Sequence, residues 1–189
     1  MTRWEPDARG RLERAALALY GEHGFESTTV AEIAERAGLT ERTFFRHFAD
    51  KREVLFGGGS MLQDLIVSVV ADAPDSSTPI DAAAAGLAAV GTEFFIQERR
   101  DFARQRQAVI ASNPELQERE LIKLAALSTA IAEALRQRGV EDPAAALTAE
   151  VAIAVFRTAF ERWVDETNQN DFPQLVRESL DQLKALTAA

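Results

Sequence analysis

The chain contains no cysteine, two histidines and a single tyrosine. The lack of cysteine excludes disulfide frameworks, thiolate zinc sites, iron–sulfur clusters and cysteine nucleophiles. Both histidines, His23 and His47, lie near the N-terminus, and no HExxH, GxSxG, Walker or GxGxxG motif is present. The run Gly57-Gly58-Gly59 is not a phosphate loop, because no Lys-Ser/Thr pair follows it. We therefore expect no enzymatic activity, no metal and no cofactor.

The sequence also lacks long hydrophobic runs. No run approaches the roughly 18 consecutive apolar residues that a membrane-spanning helix needs, and the N-terminal segment has no apolar core of the kind found in a signal peptide. The 189 residues suit one domain, or a small domain joined to a larger one. We expect a soluble, cytoplasmic globular protein that does not enter a membrane.

The charge of the chain is unevenly distributed. The net charge is −9, yet residues 1–52 carry nine Lys and Arg against nine Asp and Glu and are neutral. An acidic protein is a poor nonspecific ligand of nucleic acid, but a neutral first quarter leaves room for a DNA-binding face there.

The spacing of apolar residues predicts helices throughout, and strand signals are almost absent. Pro6-Asp7 opens the first helix, Thr28 or Thr29 caps the second, and Thr40 caps the third. A fourth helix is predicted from Asp50 to about residue 72. Further helices are predicted at about 79–97, 100–112, 115–139, 144–169 and 172–187. The expected fold is all-α, with about nine helices.

Two short helices joined by a tight turn indicate a helix-turn-helix motif at residues 28–48. Gly38 permits the chain to reverse with a positive φ angle. Leu39, Phe44 and Phe48 are predicted to pack inward, which turns a face bearing Arg, Thr and His outward. Such a face suits readout of the DNA major groove and docking to phosphates.

Three segments carry a resemblance to a known family: 19–30, which includes Tyr20 and Phe25, then 33–40, and then 43–55. Over these roughly 45 residues the chain resembles the TetR family of bacterial transcriptional regulators. The resemblance implies a helix-turn-helix DNA-binding domain at 1–50 and a helical effector-binding and dimerisation domain at 51–189. It also implies a homodimer that binds a pseudo-palindromic double-stranded operator, most often as a repressor, and that a small-molecule effector releases.

The resemblance also implies which residues contact DNA, and one of them departs from the family. Where the family usually has tyrosine this chain has Phe45, which cannot donate a hydrogen bond to a phosphate; an apolar contact, for instance with a thymine methyl group, is the alternative. The predicted DNA-binding residues are Thr28, Thr29, Thr40, Glu41, Arg42, Thr43, Phe45, Arg46, His47 and Lys51.

The last two predicted helices are apolar over more than one face, which suggests that one face meets a second copy of the chain. The residues predicted for the dimer interface are Phe156, Phe160, Trp163, Val176, Leu180 and Leu183. Those predicted for the effector site are Phe94, Phe95, Phe102, Gln105 and Trp163.

Two questions stay open at this level. The run Gly57-Gly58-Gly59 falls inside the predicted fourth helix, where it is either a hinge or a close packing contact. A helical protein-interaction module that binds neither effector nor DNA is the alternative to a regulator.

Overall fold

The computed structural model describes residues 7–187, and within that range the chain is all-helical with no β-strand. Nine α-helices and two 3₁₀ helices (Glu53–Phe56 and Gln97–Arg99) occur there. The α-helices are α1 (Ala8–His23), α2 (Val30–Arg36), α3 (Glu41–His47), α4 (Gly59–Ala71), α5 (Pro79–Glu93), α6 (Arg100–Ala111), α7 (Pro114–Gln137), α8 (Ala144–Val164) and α9 (Phe172–Thr187). The predicted all-α fold is confirmed.

Two compact units divide the chain. The first holds the residues up to Gly57 together with Gln105–Glu120, and the second holds Gly58–Arg104 and the chain from Leu121 onward. The first unit thus includes residues 51–57 and 105–120 in addition to the predicted residues 1–50. The division into a DNA-binding and an effector-binding domain stays a prediction, because compactness alone does not test function.

Helix caps and turn residues that can be recognised in the sequence shape the first unit. The Asp7 carboxylate accepts a hydrogen bond from the Gly10 N–H at 2.9 Å and caps α1. Gly38 has a φ of 65°, and a Cβ placed there would lie 2.8 Å from Arg11 Nη2. Glycine is therefore required in the turn between α2 and α3. The buried core of this unit includes Leu12, Ala16, Leu19, Phe25, Ile33, Phe44 and Phe48.

The second unit has its own core, which α4, α5, α7, α8 and α9 all line. The largest fully buried side chains in it include Ile66, Leu87, Ile131, Leu135, Trp163 and Phe172. Burying side chains of this size contributes about 1.5–3 kcal/mol each, relative to exposure. This core holds α8 and α9, on which the predicted dimer residues lie.

The predicted fourth helix is wrong in its first part. The Asp50 carboxylate accepts hydrogen bonds from the N–H groups of Arg52 at 2.8 Å and Glu53 at 3.1 Å, which starts a 3₁₀ helix rather than an α-helix. Gly57 and Gly58 then precede α4. The glycines lie at the break instead of one to two turns inside a helix.

One segment, Glu53–Ala71, is long and apolar enough by length and composition to cross a membrane, with a mean hydropathy of 1.6. The core helix of a soluble protein can have the same length and composition. The structure divides the segment into a 3₁₀ helix and the 13 residues of α4. Ile66 and Val70 of α4 are fully buried in the second unit, so we assign α4 to that core.

The three glycines differ in their surroundings. A Cβ on Gly57 would lie 3.0 Å from the Phe48 ring and 2.6 Å from Arg9 Nη2, whereas a Cβ on Gly58 or Gly59 would meet nothing within 4 Å. The packing interpretation therefore fits Gly57 and not the other two. The hinge stays a prediction; the boundary between the two units falls between Gly57 and Gly58.

Gly58→Ala is expected to raise the free energy of unfolding by about 0.4–1 kcal/mol, because alanine restricts the unfolded chain more than glycine does. The native backbone angles of Gly58, φ −86° and ψ −5°, are accessible to alanine without strain. The check is chemical denaturation with Gly57→Ala as the matched control, since its Cβ would press on Phe48. Equal gains in both variants would contradict the assignment of Gly57 as a packing contact.

Candidate functional site

Helix α3 presents an exposed polar face over a buried anchor. Phe44 is fully buried, while Glu41, Arg42, Phe45 and Arg46 are exposed. Because residues three and four apart share a helix face, burial of Phe44 fixes the direction in which these side chains project. We call Glu41, Arg42, Phe45 and Arg46 the α3 surface.

The start of α3 is fixed by threonine. Thr40 Oγ1 accepts a hydrogen bond from the Thr43 N–H at 3.2 Å and lies 3.1 Å from Thr43 Oγ1. Thr40 is exposed and Thr43 is half-buried. Both predicted threonines therefore lie beside the α3 surface, and their hydroxyl groups help to hold the first turn of the helix.

The two arginines of the α3 surface are available to a ligand. Neither Arg42 nor Arg46 forms an ion pair or a side-chain hydrogen bond with any residue in the described range 7–187. By contrast, the exposed Arg36 of α2 donates to Glu22 at 2.7 and 3.0 Å. Guanidinium groups without a protein partner, one helical turn apart, suit contacts with base edges or phosphates.

Phe45 lies beside the two arginines and is 55% exposed. Its ring meets the Phe44 ring edge-on, with centroids 5.4 Å apart and an interplanar angle of 81°. This contact orients the exposed ring without covering it. The α3 surface therefore combines two cations with an apolar ring, which favours contact with a thymine methyl group.

Thr29 caps α2, where a carboxylate already occupies the helix end. Thr29 Oγ1 accepts from the Glu32 N–H at 3.2 Å, and Glu32 Oε2 accepts from the Thr29 N–H at 2.7 Å. This backbone hydrogen bond is the main cause that lowers the pKa of Glu32. Thr29 is exposed, but a phosphate would have to replace the Glu32 carboxylate to reach its N–H group.

Thr28 is not on the surface. Its side chain is 1% exposed, and its hydroxyl group donates to the Gly24 carbonyl oxygen at 2.8 Å. The predicted phosphate contact by this side chain does not fit the structure, because the hydroxyl group ties the end of α1 to the start of α2.

Lys51 is also used inside the protein. Its Nζ donates to the carbonyl oxygens of Phe25 at 2.9 Å, Glu26 at 3.1 Å and Thr28 at 3.1 Å. It also lies 4.5 Å from the centroid of the Phe25 ring. An ammonium group has three N–H donors, so none is left for the predicted phosphate contact.

The chain's single tyrosine, Tyr20, lies at the same junction. The Tyr20 hydroxyl group donates to the Lys51 carbonyl oxygen at 2.6 Å. Burial, followed by the nearby Asp50 carboxylate, raises the pKa of Tyr20, so the hydroxyl group stays protonated. Tyr20 and Lys51 together join α1, the loop before α2 and the segment after α3.

His47 is half-buried, and its Nε2 is buried without a hydrogen-bond partner in the described chain. Burial, with smaller effects from the Arg46 and Arg9 guanidinium groups, lowers the pKa of His47. The ring is therefore neutral near pH 7. A neutral imidazole still carries one N–H donor, but Nε2 is buried, so the predicted phosphate contact would have to use Nδ1.

A second junction in the first unit, between α6, α7 and the 3₁₀ helix Glu53–Phe56, was not predicted from the sequence. Arg106 Nε donates to the Leu55 carbonyl oxygen at 2.6 Å, and its guanidinium lies 5.0 Å from the centroid of the Phe56 ring. Arg119 Nε donates to Glu53 Oε1 at 2.5 Å. These contacts explain why residues 105–120 belong to the first unit; their sequence separations of 51 and 66 residues leave no local signal.

Comparisons with known proteins agree with this geometry. Residues 13–56 match the family of bacterial regulatory proteins of the tetR type, and residues 77–188 match the MftR C-terminal domain. The chain is 31% identical over 161 residues to MftR of Mycobacterium tuberculosis, named as a mycofactocin biosynthesis transcriptional regulator; the alignment covers 81% of this chain and 78% of that protein. The chain belongs to the TetR family. It is a DNA-binding transcriptional regulator. The alternative, a helical protein-interaction module that does not bind DNA, is therefore wrong.

Other regulators match over less of the sequence or by fold alone. The chain is 38% identical over 82 residues to the regulator TcmR of Streptomyces glaucescens, covering 43% of this chain and 36% of that protein, about a third of its length. The fold matches SmeT of Stenotrophomonas maltophilia, solved in complex with triclosan, with a TM-score of 0.65, 23% identity and coverage of 95% of this chain and 90% of that chain.

The predicted effector residues of this TetR-family protein are only partly brought together. The rings of Phe95, Phe156, Phe160, Trp163 and Phe172 form one aromatic cluster in the second unit, with neighbouring centroids 4.7–6.2 Å apart. Phe95 and Trp163 are thus close, at 5.4 Å. Phe94 and Phe102 are half-buried and have no ring contact in the described chain. Gln105 is exposed and belongs to the first unit.

The predicted dimer interface needs correction. Trp163, Val176 and Leu180 are 1%, 0% and 6% exposed within a single chain, so they are core residues and do not reach a partner. Phe156, Phe160 and Leu183 are half-buried and pack against the same core. The large exposed apolar side chains described on α8 and α9 are instead Leu147 at 63% and Leu186 at 80%.

Proposed function

We propose that this regulator binds a pseudo-palindromic operator as a homodimer through the α3 surface, represses transcription, and is released by a small apolar effector. The observation that carries the DNA-binding part is the pair of exposed guanidinium groups, Arg42 and Arg46, which have no partner in the described chain and flank the exposed ring of Phe45. Such a regulator acts in the cytoplasm, where the chromosome is, and we propose no catalytic role for it.

The residues proposed to contact DNA are fewer than the sequence predicts. Arg42 and Phe45 are assigned to base edges, and Arg46 to phosphate. Glu41 and Thr43 border them, and Thr40 and Thr29 flank the site. Thr28, Lys51 and His47 are assigned to the interior of the helix-turn-helix unit, where they stabilise it.

The function is tested by selecting duplexes from a random library with the full-length protein. We expect an enriched inverted repeat, because two α3 surfaces in a dimer read two half-sites about one helical turn apart. Affinity for the enriched duplex should fall steeply with salt as counterions are released. Enrichment of no sequence would overturn the proposal. The named role of the M. tuberculosis relative makes mycofactocin biosynthesis genes the first genomic location in which to seek the repeat.

For the dimer, we propose the outer face of α8. Leu147, Val151, Ala154 and Thr158 recur at intervals of four, three and four residues and therefore share one face. Leu147, Ala154 and Thr158 are exposed and Val151 is half-buried. An apolar face with a small residue at its centre allows a second helix to approach closely. Leu186 of α9 is a second exposed apolar side chain, 80% exposed.

Leu147→Glu combined with Ala154→Glu should convert the dimer to a monomer, because two carboxylates would be buried without partners at the interface. Sedimentation velocity measures the change. Both positions are exposed in one chain, so the circular dichroism spectrum should stay helical. Met61→Glu, at a side chain that is 53% exposed on α4, is the matched control. A double variant that still sediments as a dimer would reject this face.

For the effector, we propose the aromatic cluster. Phe95, Phe156 and Phe160 are half-buried, whereas Trp163 and Phe172 are buried. Aromatic side chains of this kind line most sites for small apolar ligands. SmeT was solved with triclosan, and FadR of Thermus thermophilus, which has a similar fold at 22% identity and a TM-score of 0.51, with lauroyl-CoA.

A further inference from the structure

Arg100, the first residue of α6, is a buried cation without an anion. Its side chain is 6% exposed, and it forms no ion pair with any residue of the range that the structure describes, 7–187. The carboxylates nearby are used elsewhere, because Asp101 and Glu166 pair with Arg104 at 3.3 and 3.6 Å. Removing a charge from water is unfavourable unless an opposite charge compensates for it.

The partners of Arg100 leave its Nε–H without an acceptor. Nη1 donates to the Asn168 carbonyl oxygen at 2.7 Å and Nη2 to the Asn170 carbonyl oxygen at 2.9 Å, both in the loop between α8 and α9. Nε is buried and has no acceptor in the described chain. An anion at this position would satisfy the Nε–H donor, which no residue of the described chain satisfies.

The guanidinium also adjoins the aromatic cluster. It lies 5.6 Å from the centroid of the Trp163 ring, and that ring lies 5.4 Å from Phe95 and 5.9 Å from Phe160. A buried positive charge therefore adjoins an aromatic cluster of which Phe95 and Phe160 are half-buried. A ligand that fits both has a negative group at one end and an apolar body at the other.

We propose that the effector is an apolar carboxylic acid, whose carboxylate pairs with Arg100 and whose body packs on Phe95, Phe156 and Phe160. This rests on the proposed effector role of the aromatic cluster and names the chemical class that binds there. No role was predicted for Arg100 from the sequence, because burial of its charge is visible only in the tertiary structure.

The test compares ligands that differ only in charge. Decanoate is paired with 1-decanol, and 4-phenylbutyrate with 4-phenylbutanol. The two tryptophans of the chain are Trp4 and Trp163, so the full-length Trp4→Phe variant reports on Trp163 alone. We expect each carboxylate to bind about 10- to 100-fold more tightly than its alcohol, as a charge-assisted hydrogen bond predicts, and to change Trp163 fluorescence.

Arg100→Gln is expected to abolish this preference while leaving the weak binding of the alcohols. Arg99→Gln, at the neighbouring exposed arginine, is the matched control and is expected to retain the preference. Because Arg100→Gln also weakens the contact with the α8–α9 loop, a second measurement uses the unmutated chain. The ¹⁵Nε–¹H resonance of Arg100 should shift on addition of decanoate and not of decanol.

Equal binding of acid and alcohol, no binding of either, or an unchanged Arg100 resonance would overturn the proposal and leave Arg100 as a structural contact only. Binding of the selected operator duplex, measured without added ligand, reports separately on the proposed DNA-binding function. Loss of carboxylate preference with intact operator binding therefore refutes this inference alone.

Discussion

Lys51→Met is expected to destabilise the first unit by about 2–4 kcal/mol, because three carbonyl oxygens of the loop before α2 lose a charged donor. Methionine keeps the length of the side chain and its apolar contact with Phe25. Thermal denaturation followed by circular dichroism measures the loss of stability. Operator affinity should fall as well, since the loop that positions α2 is no longer fixed.

The control for Lys51 is Arg46→Met, which removes an exposed cation that has no partner in the described chain. Its melting temperature should match that of the wild type, while the slope of log affinity against log salt should decrease by about one. The reverse result, an unchanged melting temperature for Lys51→Met with a reduced salt slope, would show that Lys51 binds phosphate and not the loop.

Arg42→Ala is expected to cost about 1–3 kcal/mol of operator affinity, or about 5- to 150-fold, and to relax the preference at one base pair in each half-site. The reason is that Arg42 is exposed on the α3 surface beside Phe45, where its guanidinium is free to bond a guanine. Competition binding with single-base variants of the selected duplex measures both effects.

Arg36→Ala is the matched control for Arg42. Arg36 is also an exposed arginine, but it lies on α2 and pairs with Glu22, and a surface pair of this kind contributes little. We expect its sequence preference to equal that of the wild type. A uniform loss of affinity for selected and scrambled duplexes in Arg42→Ala would assign Arg42 to phosphate rather than to bases.

The α3 surface was predictable because its causes are local. Thr40 caps the helix three residues before Thr43, and the helical repeat that buries Phe44 turns Arg42, Phe45 and Arg46 outward. No long-range contact is needed to reach that result. The same holds for Gly38, whose positive φ angle follows from the tight turn.

Lys51 and Thr28 could not be placed from the sequence. A lysine or threonine near a helix end suits a phosphate as well as it suits a carbonyl oxygen of the same chain. The choice depends on whether the loop at 25–28 comes within 3.1 Å of Lys51 Nζ, a contact between residues more than 20 positions apart.

By itself, the sequence determined the all-α class, the helix-turn-helix motif and the outward residues of α3, since helix caps, turn glycines and the 3.6-residue repeat act over a few neighbouring residues. Only the tertiary structure decided which apolar faces of α8 and α9 are core. Trp163, Val176 and Leu180 are as hydrophobic as Leu147 and Leu186, but the first three are buried and the last two exposed. Hydrophobicity favours the burial of a side chain, but the packing of helices that are distant in sequence determines which side chains are covered and by what.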